Sequence, residues 1–280
     1  MSAESSNAPT RPARAAIRYV ALVALAVTIL FPVYATLVNS VSTPVDVSRG
    51  FRLWPRSFEW DNYSRAWNDG RFSDYIVNTI IVTVAITAGQ VVTAIAAAYA
   101  FAFLQFPLKR TLFVLFLVTL MIPGEVTILY NVATITDWGG KNQYWALVVP
   151  FLASGFGAFL LRQSFLQVPS ELREAAFLDG YGHLRFLTRI VVPLTRPAIA
   201  AMGLFAFLGA WNQYLWPLLV TTNDSHRTVQ VGLKQLAAGS VDQITVTFAG
   251  TVLAFMPIAL LLVVFSKQLV RGLAAGAVKG

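Results

Sequence analysis

The sequence predicts an all-α polytopic membrane protein with six transmembrane helices and both termini in the cytoplasm. Three observations predict it. Hydrophobic residues make up 56% of the 280 residues and charged residues only 12%, about half the charged share of an ordinary soluble domain. Mean hydropathy is +0.64, so a soluble surface could not be covered and disorder is excluded. Six stretches approach or exceed the roughly 20 apolar residues that a hydrocarbon crossing requires. Basic residues, finally, segregate to alternate loops.

Taken in order, residues 1–19 read as a cytoplasmic tail bearing Arg11, Arg14 and Arg18. The transmembrane region is expected over 20–265. The first span, 20–38, has an apolar core too long for a signal peptide, and Phe31-Pro32-Val33-Tyr34 lacks a small-residue cleavage site. The loop 39–75 carries Trp54, Trp60 and Trp67. Its Phe51–Pro55 stretch reads as extended, and Glu59-Trp60-Asp61-Asn62-Tyr63 as the start of a short interfacial helix. This loop is either a headgroup-level anchor, which tryptophan and tyrosine favour, or a docking surface for an outside partner.

The second span, 76–104, exceeds one crossing and must tilt or project. Its Asn78 and Gln90 read as interhelical hydrogen-bonding groups. The third, 112–130, reads as uninterrupted, although Pro123 removes a backbone donor and Gly124 loosens the helix. A break there would expose carbonyls to a cavity. The neighbouring Glu125 is either a hydrated structural group near the outer end or part of a solute pathway. The fourth span, 144–161, is short, and Gly155 and Gly157 suit close helix packing.

The fifth and sixth spans, 197–220 and 244–265, read as uninterrupted. Asn212, Gln213 and Tyr214 form a polar belt in the fifth, between Trp211 and Trp216. Amides grip hydroxyls and aromatic faces suit sugar rings. The belt therefore lines a solute pathway or bonds to a second chain. Residues 266–280 read as a cytoplasmic tail.

The loops expected on the cytoplasmic side hold thirteen basic and four acidic residues, a net charge of +9, whereas the other side holds eight of each. The high pI thus reflects topology, and no patch points to nucleic acid. With no cysteine and only His183 and His226, no metal site, catalytic constellation or cofactor site is expected. An ion-coupled secondary transporter remains an alternative, but such proteins often show internal repeats and paired broken helices. No clear repeat between the halves is visible here.

The loop 166–196 carries the strongest signal. Pro169 and Ser170 suit a helix start, with Ser170 as the expected N-cap. Glu171 and Glu174 suit the positive helix end. Leu172, Ala175, Ala176 and Asp179 share a face at helical spacing, slim enough to enter a cleft on another protein. Gly180 suits the C-terminal stop.

Glu174-Ala175-Ala176, three residues, Gly180, nine residues and Ile190-Val191-Val192-Pro193 resemble the EAA loop of bacterial ABC-importer permeases. Val192 stands where leucine is usual. Phe106–Arg110, Thr119–Pro123, Trp211–Pro217 and the stretch from Arg271 to Gly280 are similar to the second permease subunit of carbohydrate-uptake importers, the maltose and glycerol-3-phosphate type.

The resemblance implies a type I ABC-importer permease fold in the bacterial inner membrane. It implies a sister permease, two copies of a cytoplasmic ATPase that binds ATP and magnesium, and an extracytoplasmic solute-binding protein, besides membrane lipid. The chain has no phosphate-cradling Gly-x-x-x-x-Gly-Lys loop and is not expected to be an enzyme. Glu171, Arg173, Glu174, Ala175, Ala176, Asp179 and Gly180 are implied to couple the chain to the ATPase. The implied solute is a sugar or glycerol-3-phosphate. A di- or trisaccharide or an amino sugar is the alternative.

Overall fold

A computed structural model describes residues 12–277, with side chains described for 15–240 and 242–265. Arg11, Lys279 and most of the carboxy-terminal Gly276–Gly280 stretch lie outside the described residues, and the side chains of Arg14, Lys267 and Arg271 lie outside those described.

The helices, in chain order, are α1 Pro12–Ser40, α2 Pro44–Ser48, α3 Asp61–Asn68, α4 Phe72–Phe103, α5 Lys109–Thr119, α6 Gly124–Asp137, α7 Tyr144–Val148, α8 Gly155–Phe165, α9 Ser170–Leu178, α10 His183–Phe186, α11 Val192–Leu194, α12 Arg196–Trp211, α13 Leu215–Val220, α14 Val229–Ala237 and α15 Ile244–Ala277. No strand is present among the described residues. Three helical stretches, Ala15–Ser40, Phe72–Phe103 and Ile244–Phe265, are individually long and apolar enough to cross a membrane. Three bent pairs bring the total to as many as six where each pair is one span.

The bend between α5 and α6 and the non-helical residues 212–214 correct the expectation of uninterrupted third and fifth spans. Between α5 and α6 the chain turns by 89°. Leu120, Met121 and Ile122 bond back to Leu117, Val118 and Thr119, and Pro123 is extended. Proline without a donor before flexible Gly124 accounts for the break. The fourth span bends by 43° between Phe151 and Gly155. There Gln90 and Thr93 of α4 donate to the freed carbonyls of Phe151 and Leu152, at 2.9 and 2.8 Å. Broken backbone inside a membrane requires such partners. The fifth helix runs only from Arg196 to Trp211, and the segment His183–Leu194 meets it at 82°. Residues 212–214 separate it from α13.

Residues 12–70 and 236–253 form one compact unit. Asn62, buried, ties this unit together. Its amide donates to the carbonyls of Ser40 and Ser42, both at 3.0 Å, and its oxygen accepts from Thr245 at 3.1 Å. The expected interfacial helix is α3, which starts at Asp61 rather than Glu59, and the stretch 51–55 that read as extended is non-helical. Trp54 and Trp60 remain largely exposed.

Residues 71–235 and 254–277 form the second unit. α4 is its axis, packed against α8 and α12. Small residues permit this approach: Ala94 and Ala98 of α4, Ala158 of α8 and Ala206 of α12 lie in one core. Side chains added at Gly157 or Gly155 would run into Met202 or Leu120, so both glycines are packing residues, as expected. A second core gathers Val82, Ile86, Leu147, Ala210 and Trp216. Asn78 is an interhelical polar link, donating to the carbonyls of Ser225 and Arg227 and accepting from Tyr144 at 2.6 Å.

Candidate functional site

Two places in the second unit concern function. The first is α9 together with the turn and short helix after it. Ser170 is the first helical residue and Pro169 occupies the cap with no side-chain cap bond, which corrects the expected Ser170 cap. The carboxy-terminal end agrees with the expectation. Gly180 has φ +75°, with its N–H on the Phe177 carbonyl and that of Tyr181 on the Ala176 carbonyl, at 3.1 and 2.9 Å. This paired closure needs a left-handed residue at Gly180.

The shared alanine face is also corrected. Ala176 is 3% exposed and packs with Tyr99, Phe165, Phe186 and Val191. Ala175, Glu171, Glu174 and Asp179 are exposed, as are Leu172 and Leu178. Arg173 is half-buried, with its Nε unpartnered. It turns toward the chain's own interior rather than joining Glu174 on the outer surface.

Aromatic rings mount α9 on the transmembrane helices. Phe186 lies against Phe103, Phe177 and Tyr99, with ring centroids 5.4, 5.9 and 6.4 Å apart. Nδ1 of His183 lies 2.8 Å from the Tyr99 hydroxyl. Beyond α10, residues Leu187–Val191 form a π-turn closed by the Val192 N–H on the Leu187 carbonyl. Pro193 explains it, since proline cannot donate and its ring crowds the carbonyl four residues back.

The second place is a cavity of about 240 Å³ beside α12, whose polar lining is Gln90, Ser154 and Gln213. The apolar lining includes Phe156, Phe205 and Gly209. Gln213 Oε1 is buried without a partner. No charged side chain lines the space.

The expected polar belt is only partly brought there. Asn212 caps α12 and donates to the Leu208 carbonyl at 2.9 Å. Neither it nor Tyr214 lines the cavity. Trp211 and Trp216 are buried at 1% and 6% exposure, Trp216 donating to the Ala146 carbonyl. Their faces are used in the chain's own packing and are not offered to a sugar ring. Glu125 is exposed in the first turn of α6, away from this cavity, where a helix N-terminus favours a carboxylate.

Residues 90–275, which include both places, match the model of the family described as binding-protein-dependent transport system inner membrane component. The chain belongs to this family. It is similar to the sn-glycerol-3-phosphate transport system permease protein UgpE of Yersinia pestis bv. Antiqua, at 34% identity over 88% of this chain and 90% of that one. It is equally identical to UgpE of Rhizobium meliloti strain 1021, over 94% and 97% of the two chains. Among solved structures, it resembles a chain of a bacterial ABC transporter involved in the import of the acidic polysaccharide alginate. The TM-score is 0.82 and the identity 22%, covering 94% of this chain and 99% of that one. The fold is thus that of an ABC-importer permease, and the chain is an inner-membrane transport component.

Sequence reasoning about this permease gives His183 no role, and the structure does. Its partner Tyr99 is 84 residues away, and no local pattern signals such a pair. Gln90 and Ser154 are likewise missed as cavity residues. Polarity within an apolar run marks Gln90, but nothing local shows which way it turns.

Proposed function

We propose that this chain is one of two permease subunits of an ATP-driven importer for glycerol-3-phosphate or a small sugar. The single observation that carries the coupling role is the exposed acidic face of α9 on a helix anchored from behind by Ala176. Glu171, Glu174, Ala175 and Asp179 enter a groove on a separate cytoplasmic ATPase. Arg173 and Ala176 hold the helix from inside, and Gly180 lets the chain turn back. ATP-driven closure of two ATPases moves α9, and the aromatic mount passes the motion to α4 and α8. This is alternating access set by differential affinity for two states.

An extracytoplasmic binding protein delivers the solute, and both termini lie in the cytoplasm, as the charge asymmetry supports. Gln90, Ser154 and Gln213 take the solute's hydroxyls. Their neutrality suits the polyol part of a solute rather than its phosphate. The names of the relatives support glycerol-3-phosphate. Asn212, Tyr214 and Glu125 are given no direct solute contact.

The test is reconstitution with the ATPase, sister permease and binding protein in liposomes. The expected result is ATP-dependent uptake of sn-glycerol-3-phosphate or a small sugar, requiring the binding protein. ATP-independent uptake driven by an ion gradient would refute the reading.

A further inference from the structure

A separate cavity of about 480 Å³ lies within the second unit, lined by Phe101, Lys109, Arg110, Phe113, Val114, Leu117 and Arg162. It forms where α4 and α8 end and α5 begins. None of the four ion pairs among the described residues includes any of its three cations. Lys109 donates to the Leu104 carbonyl at 2.7 Å. Arg162 donates through Nε to the Phe101 carbonyl at 3.2 Å, and its guanidinium lies 4.1 Å from the Phe113 ring centre. These carbonyls orient two cations at the end of α4 without neutralising them, because a helix C-terminus carries only about half a negative charge. Among the described residues, the terminal nitrogens of Arg162 and the side chain of Arg110 make no hydrogen bond.

The cavity is polarised along its length. Lys109, Phe113 and Leu117 recur every fourth residue and share one face of α5. At about 1.5 Å per residue, this face runs roughly 12 Å from the charged mouth to Leu117. The charged mouth sits at the start of a transmembrane segment and the apolar wall runs into it. No residue of α5 is buried.

We propose that this cavity binds an anionic phospholipid. The phosphodiester sits between Arg110 and the terminal nitrogens of Arg162, a fork suited to phosphate, and an acyl chain lies along Phe113, Val114 and Leu117. Charge complementarity selects the headgroup, and the apolar wall selects a lipid over a free anion. The assignment is independent of which solute is transported.

The test uses the importer complex containing the full chain, with photoactivatable phosphatidylglycerol and the matching phosphatidylcholine as probes. Phosphatidylglycerol should label the segment 110–117 at least tenfold more than phosphatidylcholine. Arg110→Gln, which breaks no internal bond, should cut that labelling about fivefold, the effect of removing one interfacial cation. Arg162→Lys, which keeps the charge but not the fork, should retain more labelling than Arg162→Gln. Equal labelling by the two lipids would overturn the proposal. So would displacement by inorganic phosphate as effective as by phosphatidylglycerol, which would mean a free-anion site. Cross-linking of the segment to the sister permease in place of lipid would also overturn it.

Discussion

The Tyr99 hydroxyl lies 2.8 Å from Nδ1 of His183. The pair joins the long central helix to the segment that returns from α9, and Phe177 and Phe186 surround it. Tyr99→Phe should leave the ring packing in place and remove one hydrogen bond, worth about 1 kcal/mol. Amides of residues 176–186 should then exchange about fivefold faster in hydrogen-exchange measurements on the complex, with insertion unchanged. Unaltered exchange would mean that the pair does not hold α9.

Ala175 and Ala176 should separate docking from folding. Ala176→Leu forces extra methylenes into a filled core and should cost about 1–3 kcal/mol, seen as a lower thermal midpoint. Ala175→Leu adds its bulk to an exposed face and should leave the midpoint in place while lowering ATPase co-purification. Similar thermal losses for both would contradict the two-sided reading of α9.

At Gly180 the backbone is left-handed, and a Cβ there would meet nothing within 4 Å. Any penalty is therefore conformational. Gly180→Ala should cost about 1 kcal/mol, and Gly180→Asn less, because asparagine tolerates that region better. Solute-stimulated ATP hydrolysis should fall in the same order. Equal activity of both variants with the parent would remove the turn from the coupling account.

Much of this was legible in the sequence because it is local. Span composition, the loop pattern and the Gly180 stop are properties of neighbouring residues. Pro123 and Gly124 signalled a break, yet the third span read as continuous because hydropathy averages over a kink. The fifth read too long for the same reason: Asn212–Tyr214 are three polar residues inside an apolar window. The inward turn of Ala176 was not legible, since helical spacing assigns residues to a face without saying which face meets the core. The burial of Trp211 and Trp216 likewise depends on partners distant in sequence.

The cavity beside α12 supports a further pair of variants. Gly209 lines it, and a Cβ there would meet nothing within 4 Å. Gly209→Leu should fill the space and abolish uptake without loss of stability, since leucine is the better helix former by nearly 1 kcal/mol. Gln213→Ala removes one solute hydrogen bond of about 1 kcal/mol, so about fivefold more solute should be needed for half-maximal uptake. Normal uptake by both variants would place the pathway elsewhere.

The central claim is that α9 presents Ala175, and not Ala176, to the ATPase. Because the chain contains no cysteine, single substitutions give clean probes. In the reconstituted complex, Ala175→Cys should cross-link to cysteines introduced along the ATPase groove, with a yield that changes on ATP binding, while Ala176→Cys should not cross-link. Cross-linking from Ala176→Cys with none from Ala175→Cys, or from neither position in an assembled and active complex, would contradict the account.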